Sequence, residues 1–157
     1  MRTLILGGSR SGKSAYAEQL AAASGKEVIY IATAQAGDAE MAQRIALHRQ
    51  QRPAHWHTVE QPLALGDAIA EWSAPARVLL VDCLTLWLSN LLFAEAQDFP
   101  EIGRITPPAC FSETARTLLT VAAAGQWRSA AGIETKSGWA WCHSARCRAG
   151  MPMKRGG

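Results

Sequence analysis

Eight residues near the start of the chain have the types and spacing that bind phosphate. The run Gly7-Gly8-Ser9-Arg10-Ser11-Gly12-Lys13-Ser14 fits the pattern GxxxxGK(S/T). Glycines let the backbone turn tightly and point successive N–H groups at an anion, and a following helix adds the partial positive charge of its N-terminus. The run predicts a nucleotide-binding loop, in which Lys13 reaches the outer phosphates and the Ser14 hydroxyl binds Mg²⁺. A chance glycine-rich turn is the alternative.

A carboxylate follows a short apolar run further along the chain. Asp82 comes directly after Val78-Leu79-Leu80-Val81, which is the sequence of a buried strand. A carboxylate at the carboxyl end of a strand beside a phosphate loop can orient Mg²⁺ or its water shell. An ordinary cap of the next helix is the alternative, since the pattern alone is weak. Together with the loop, it predicts that Asp82 and Ser14 serve a nucleotide-bound Mg²⁺.

One histidine lies among arginines on a predicted helix. At helical spacing, Met41, Ile45 and His48 share one face. The nearby arginines are Arg44, Arg49 and Arg52. A neutral imidazole can attack phosphorus and carry the group as a phosphoramidate, while guanidiniums hold the phosphate oxygens. From the residues alone, a partly buried histidine with solvated arginines is the commoner interpretation.

The segments that must position these residues alternate between strand and helix. Strands are predicted at residues 3–6, 28–32 and 78–82, and all three are apolar throughout. Helices are predicted at 14–23, from a cap at Asp38 to about 51, at 63–72, at 84–93, and from a cap at Ser112 to about 125. This order predicts an α/β, phosphate-loop NTPase-like fold with a mostly parallel sheet and helices on both faces.

Composition and charge exclude several classes of protein. The 157 residues are 48% hydrophobic and 18% charged, which favours one folded domain over a disordered chain. Apolar runs stay well short of the roughly 20 residues of a membrane span, and Gly7 follows the N-terminus too early for a signal peptide. We therefore expect a soluble, cytoplasmic protein. The four cysteines have no CxxC spacing, which weakens a metal-knuckle interpretation.

The charge is unevenly distributed. Residues 1–125 hold 10 lysines and arginines against 12 acidic residues, a balance of −2, whereas residues 126–157 hold 6 against one, a balance of +5. A nucleic-acid-binding domain usually carries a basic surface, so the negative body argues against a nucleic-acid-associated ATPase. We expect small-molecule partners and no nucleic acid.

Several segments together resemble the bifunctional adenosylcobinamide kinase / adenosylcobinamide-phosphate guanylyltransferase family of cobalamin biosynthesis. The resemblance covers about residues 1–93 and continues more weakly to about 124. Its segments are the loop with its preceding strand, Tyr30 to Ala34, Asp38 to Pro53, the positions Trp56, Thr58, Glu60 and Pro62, and Val81 to Leu91. Together these motifs are highly specific, whereas the phosphate loop alone is not.

The resemblance implies two reactions and a set of site residues. A nucleoside triphosphate, GTP or ATP, would phosphorylate adenosylcobinamide; GTP would then guanylylate His48, and the GMP would pass to adenosylcobinamide phosphate. Lys13 and Mg²⁺ would stabilise charge in both steps. The residues that would line the GTP site are Ala32, Thr33, Ala34, Arg49, Gln50, Gln51, Arg52, Glu60 and Asp82. The family also implies a homo-oligomer.

Residues 126–157 depart from the family. They contain three of the six tryptophans, and no helical or strand period is visible, so we expect the last strand and helix to be missing or altered. Back-translation of Glu134 to His143, read from each third base, permits Asn-Glu-Val-Gly-Leu-Gly-Val-Val-Pro, which resembles the family's loop at this place. We hypothesise that the reading frame shifts between about residues 124 and 133. The domain division is then 1–125 for nucleotide binding and 126–157 for an atypical basic tail.

Three other functions remain open from the sequence. One is a phosphate-loop kinase for another small hydroxyl substrate, in which His48 is only packed. Another is a remnant that binds nucleotide without turnover, because a sheet that lacks its last strand exposes an apolar face and an unpaired edge. The third is the nucleic-acid-associated ATPase that the negative charge of the body disfavours.

Overall fold

The fold is an α/β sandwich built on one parallel sheet. The computed structural model describes residues 2–8, 11–94, 106–124 and 130–136. Its elements in chain order are β1 (Arg2–Gly8), α1 (Lys13–Ala23), β2 (Glu27–Ala32), α2 (Ala39–Gln51), β3 (His57–Glu60), α3 (Leu65–Trp72), β4 (Arg77–Asp82), α4 (Leu84–Leu92), α5 (Ala109–Ala123) and β5 (Ala130–Lys136).

The sheet confirms the predicted fold class. The strand order is β1-β5-β4-β2-β3, and each of the described pairings is parallel. Ala32 at the end of β2 is level with Glu60 at the end of β3 and with Asp82 at the end of β4. Because all strands run in the same direction, their carboxyl ends form one edge of the sheet.

Two apolar layers cover the sheet, one on each face. In β2 and β4, successive side chains alternate between the two faces, and because both faces are covered, the four central residues of each strand are buried. One layer contains α1 and includes Ile5, Ala17, Ala21, Val28, Tyr30, Val78 and Leu80. The other contains α3, α4 and α5 and includes Ile29, Ile31, Leu65, Ile69, Leu79, Val81, Trp87, Leu91 and Leu118. Each fully buried Leu or Ile contributes roughly 2 kcal/mol of transfer free energy.

Two local expectations need correction. The sequence analysis predicts no strand between α2 and α3, yet His57–Glu60 forms β3 at the edge of the sheet. Its two central residues are only half-buried, so its sequence carries a weak apolar signal. The last predicted helix begins at Ala109 and not after Ser112, because Pro108 occupies the cap position, where its missing N–H breaks no helical hydrogen bond.

Seven of the residues 126–157, in which the sequence shows no strand period, form a strand. Ala130–Lys136 forms β5, which pairs with β1 on one side and β4 on the other. A strand with neighbours on both sides is specified by backbone pairing and needs no one-sided apolar period, which is why the sequence gives little sign of it. The other residues of the predicted tail, and most of the connection predicted between α4 and α5, lie outside the described residues.

None of the helices in the described ranges is long and apolar enough to cross a membrane.

Candidate functional site

Several of the residues singled out in the sequence lie at the carboxyl edge of the sheet. β1 ends at Gly8 and leads towards α1, while β2 ends at Ala32 and is followed by Thr33 and Ala34. β3 ends at Glu60 and β4 ends at Asp82. In parallel α/β sheets, ligands bind outside this edge, where loops join strands to helices. The fold therefore places the phosphate loop and the Asp82 carboxylate on the side where a nucleotide would bind.

The glycines of the loop meet the structural demands predicted for them. Gly12 caps α1 with a φ of 79°, in the left-handed region that other residues rarely adopt. A Cβ added to Gly7 would lie 2.5 Å from the Ser11 hydroxyl oxygen, so the chain has turned back closely upon itself here. The N–H of Ser11 points to the Gly8 carbonyl oxygen at 3.4 Å. Ser9 and Arg10 lie outside the described residues.

Lys13 is the buried cation of this loop. Its side chain is 8% exposed, and its Nζ donates a hydrogen bond to the Gly8 carbonyl oxygen at 2.8 Å. An ammonium group has three donors, so this bond holds the head of the side chain within the loop and leaves donors for a phosphate. Lys13 also acts on the end of β4, since its positive charge is one of the smaller influences that lower the pKa of the Cys83 thiol.

Asp82 is held by a tyrosine. The Tyr30 hydroxyl, on the neighbouring strand β2, donates a hydrogen bond to Oδ2 of Asp82 at 2.5 Å. Burial raises the pKa of the Tyr30 phenol, and the negative charge of Asp82 raises it further. The phenol therefore stays protonated at neutral pH and acts as a donor to the carboxylate.

Arg52, just after α2, covers the other side of the same tyrosine. Its guanidinium carbon lies 3.4 Å from the centre of the Tyr30 ring, which is a cation–π contact. Its Nε and Nη1 atoms are buried and have no hydrogen-bond partner. Buried donors of this kind need an acceptor, and phosphate oxygens match the planar geometry of a guanidinium.

Thr33, which follows β2, forms hydrogen bonds with Cys83, which follows β4. Thr33 is 0% exposed; its hydroxyl donates to the Cys83 carbonyl oxygen at 2.8 Å and accepts from the Cys83 N–H at 2.9 Å. The Asn90 amide on α4 donates to the carbonyl oxygens of Thr33 and Pro62. Burial raises the pKa of the Cys83 thiol to about 11, so this residue stays a neutral helix cap. Thr33 thus positions Cys83 through its side chain, and its backbone N–H donates to the Asp82 carbonyl oxygen at 3.1 Å.

The pKa of Glu18, on α1, is influenced by charged groups on other elements. Burial raises the pKa of the Glu18 carboxyl; the positive charge of Arg52 lowers it, the negative charge of Asp82 raises it, and His48 lowers it. The charges of Arg52 and His48 thus act on the same carboxyl group of α1. His48 itself is exposed, and no residue of α2 is buried, so the interpretation of His48 as a partly buried histidine does not fit.

The other predicted residues of α2 have different surroundings. Arg49 forms an ion pair with Glu60 at the end of β3, and both side chains are more than half exposed. Gln50 and Gln51 are exposed on the last turn of the helix. An exposed ion pair of this kind contributes little to stability, on the order of 0–1 kcal/mol. Its effect is to attach the carboxyl end of α2 to the sheet.

The donor set suits a magnesium ion that arrives with a nucleotide. Within the described residues, no group of three or more His, Cys, Asp and Glu side chains could hold a metal by itself. Mg²⁺ prefers oxygen ligands and is commonly held by one or two protein groups together with substrate phosphates. The Asp82 carboxylate and the Ser14 hydroxyl are such groups, and Oδ1 of Asp82 is not the oxygen that accepts from Tyr30.

Two residues of this cluster were not identified from the sequence. Tyr30 sits inside an otherwise apolar strand, where its hydroxyl is the one side-chain polar group among Val28 to Ile31, and that contrast is the signal that could have found it. Glu18 is the one acidic residue of α1. The sequence does not show which residues Tyr30 and Glu18 interact with, because those residues lie on other elements.

The first strand, the glycine loop and the buried lysine define an α/β nucleotide-binding protein of the phosphate-loop class. A sequence model for the family described as cobinamide kinase / cobinamide phosphate guanyltransferase matches residues 3–130. The chain belongs to this family.

Curated relatives agree with this assignment. The chain is 64% identical over 95 residues to the bifunctional adenosylcobalamin biosynthesis protein CobP of Pseudomonas aeruginosa, covering 60% of this chain and 55% of the relative. It is 50% identical over 93 residues to the bifunctional adenosylcobalamin biosynthesis protein CobU of Escherichia coli, covering 59% and 51%. The protein of the same name from Salmonella typhimurium is 47% identical over 94 residues, covering 60% and 51%. The chain spans about half the length of the curated relatives it matches.

Proposed function

We propose that this chain phosphorylates adenosylcobinamide with a nucleoside triphosphate and then transfers GMP from GTP to adenosylcobinamide phosphate. Family membership supports the two reactions. The observation that carries the proposal for this chain is the position of Arg52, which directly follows the histidine helix. Its guanidinium packs on the ring of Tyr30, whose hydroxyl donates to Asp82, and its buried Nε and Nη1 atoms have no hydrogen-bond partner. Arg52 thus joins the end of the histidine helix to the strand that ends in the carboxylate.

In the first reaction, the substrate hydroxyl attacks the γ-phosphorus of the triphosphate and the nucleoside diphosphate leaves. The hydroxyl proton is lost to solvent or to a nearby base. The loop from Gly7 to Ser14 binds the phosphates through its N–H groups, and Lys13 stabilises the charge that develops on the transferred group. Bound Mg²⁺, held by Ser14 and Asp82, would neutralise charge on the phosphate oxygens.

In the second reaction, a ring nitrogen of His48 attacks the α-phosphorus of GTP and pyrophosphate leaves. The resulting phosphoramidate is then attacked by a phosphate oxygen of adenosylcobinamide phosphate; the P–N bond breaks and the imidazole is regenerated. Two in-line displacements thus replace one difficult transfer. The donors of Arg52 suit the oxygens of the transferred group, and Arg49 lies one residue after the nucleophile. Ala32, Ala34, Gln50, Gln51 and Glu60 are proposed to line the nucleotide site.

Labelling with GTP that carries radioactive phosphorus at the α-position tests the covalent step. The wild-type chain is expected to acquire an acid-labile label, and His48→Ala is expected to lose it. His55→Ala is a matched control, since His55 is also exposed and lies outside the cluster. Label that persists in His48→Ala, or a wild-type chain that binds GTP and acquires none, contradicts guanylyl transfer by His48.

A nucleotide-binding remnant is the second candidate, because the family match ends at residue 130 and the residues that follow depart from the family. This function needs the loop and no transfer. Thermal unfolding with and without GTP and Mg²⁺ separates the cases, since a ligand that binds only the folded state raises the midpoint. Stabilisation without labelling favours the remnant; absence of stabilisation contradicts both candidates. Residues 1–125 as a nucleotide-binding unit, residues 126–157 as a basic tail, cytoplasmic location and a homo-oligomer remain predictions.

A further inference from the structure

Tyr30 lies between two groups of opposite charge that face the proposed nucleotide site. Its hydroxyl contacts Asp82 and its ring contacts Arg52. We propose that Tyr30 is a positioning residue that fixes the Asp82 carboxylate for a nucleotide-bound Mg²⁺ and seats the Arg52 guanidinium for a phosphate. This inference rests on the proposed function and adds to it a residue that touches neither ligand.

The hydrogen bond restricts how the carboxylate can turn. Oδ2 of Asp82 accepts from the Tyr30 hydroxyl at 2.5 Å, so rotation of the carboxyl group would break a buried bond. Oδ1 is then presented in one direction only. Groups that hold metal-binding carboxylates in this way commonly change metal affinity by 10–100-fold when they are removed. The carboxylate is thus oriented before any cation arrives.

The ring contact leaves the arginine donors available. The guanidinium carbon of Arg52 lies 3.4 Å from the ring centre, while Nε and Nη1 have no hydrogen-bond partner. A guanidinium held by a ring face keeps its N–H groups in its own plane, where they can form two parallel bonds to a phosphate. Besides Arg52, the charged groups that act on the Tyr30 phenol are Asp82 on β4 and Glu18 on α1.

Packing alone does not explain the hydroxyl. Tyr30 is 1% exposed and belongs to the apolar layer beside Val28, Val78 and Leu80. A phenylalanine would supply the same ring, and a buried hydroxyl costs free energy unless it is bonded. The one polar atom of this side chain reaches across the sheet to Asp82, 52 residues away in sequence. The hydrogen bond therefore acts to orient the Asp82 carboxylate.

Tyr30→Phe tests this assignment, because it keeps the ring over Arg52 and removes only the hydroxyl. The measurement is equilibrium binding of a fluorescent GTP analogue over a series of Mg²⁺ concentrations. We expect the Mg²⁺ concentration for half-maximal binding to rise about 10-fold, while the affinity without Mg²⁺ and the unfolding midpoint change little. Tyr16→Phe is the matched control, since Tyr16 is the other tyrosine and is exposed on α1.

Tyr30→Leu adds the loss of the ring. In this variant we expect binding to weaken even without Mg²⁺, since Arg52 loses its support; if it does not fold, Tyr30→Phe still decides. An unchanged Mg²⁺ requirement in Tyr30→Phe, or wild-type binding that ignores Mg²⁺, overturns the assignment. A shifted Mg²⁺ requirement without any His48 label supports the role of Tyr30 and refutes guanylyl transfer, so the two proposals fail separately.

Discussion

Three charged side chains of the site are held by neutral groups. Lys13 is held by a carbonyl oxygen, Asp82 by a phenol and Arg52 by an aromatic ring. None of these three contacts is an ion pair, so the charges are fixed in place without being neutralised. A triphosphate with its cation would therefore meet charges that are already oriented, and little reorganisation would be needed on binding.

Gly12 should be intolerant of a side chain. Its φ of 79° makes Gly12→Ala strained although nothing lies within 4 Å of the added Cβ. We expect a loss of about 1 kcal/mol in the free energy of unfolding and weaker GTP binding, since the loop must shift. Urea unfolding and nucleotide titration measure the two effects. Gly37→Ala is the control, because Gly37 is equally open and has no positive φ; an equal loss in both variants would contradict the explanation.

Glu18 should make stability depend on pH. Burial raises the pKa of its carboxyl in the folded state, so the folded chain binds this proton more tightly than the unfolded chain. The stabilisation is complete below the ordinary pKa of 4.5 and is lost as pH rises through the folded-state value. The measurement is the free energy of unfolding, obtained with urea at a series of pH values from 4 upwards. In Glu18→Gln, this free energy should decline less as the pH rises. Glu71→Gln, on the exposed side of α3, should leave the decline unchanged.

At the scale of elements, α2 differs from the other helices that carry the site. It has no buried residue, and its described side-chain contacts to the sheet come from Arg49 and Arg52 at its carboxyl end. Packing therefore contributes little to its stability, and its caps contribute proportionally more.

Removal of the N-cap should affect the chemistry more than the fold. The Asp38 side chain accepts from the Met41 N–H at 2.7 Å, and loss of such a cap costs a helix about 1 kcal/mol. In Asp38→Ala we expect the GTP label on His48 to decrease several-fold, while the global unfolding midpoint moves little. Asp38→Asn should restore the label, since asparagine caps equally well. A marked fall in the unfolding midpoint of Asp38→Ala would argue that the cap stabilises the whole fold and not α2 alone.

Elements with a strong hydrophobic pattern of their own could be predicted from the sequence. Elements that depend on pairing with neighbouring strands could not. β2 and β4 are apolar on both faces, so their strands and the Asp82 terminus could be predicted, as could the loop with Lys13. β3 has two half-buried residues, and β5 is specified by backbone neighbours, so neither has a strong period. Tyr30 and Glu18 act through residues on other elements, and no spacing rule connects residues 52 positions apart.

At the scale of the whole molecule, two leucines of β1 form an exposed apolar surface. Leu4 and Leu6 are each 57% exposed, while Ile5 between them is buried. Exposed apolar residues on an outer strand favour association between copies. Leu4→Thr with Leu6→Thr should reduce light scattering on concentration without lowering the unfolding midpoint, because threonine suits a strand. Leu80→Thr, at a fully buried position, should lower the midpoint; unchanged scattering in the double variant would contradict the role of this surface.

The hypothesis of a shifted reading frame makes a prediction about the gene. Read from the third base of the Glu134 codon, the DNA should encode Asn-Glu-Val-Gly-Leu-Gly-Val-Val-Pro. The family match ends at residue 130, inside the interval proposed for the shift. Sequencing of the gene is the measurement, and a different string in that frame refutes the hypothesis.

The place of β5 has a consequence for the order in which the chain can assemble during synthesis. β1 leaves the ribosome before the other described strands, yet its pairing partner in the described sheet is β5, which follows them in the chain. Until residue 136 has emerged, the strand that leads into the phosphate loop has no neighbour to complete its backbone bonds. Completion of the nucleotide pocket would thus have to wait until the residues that follow α5 have been synthesised.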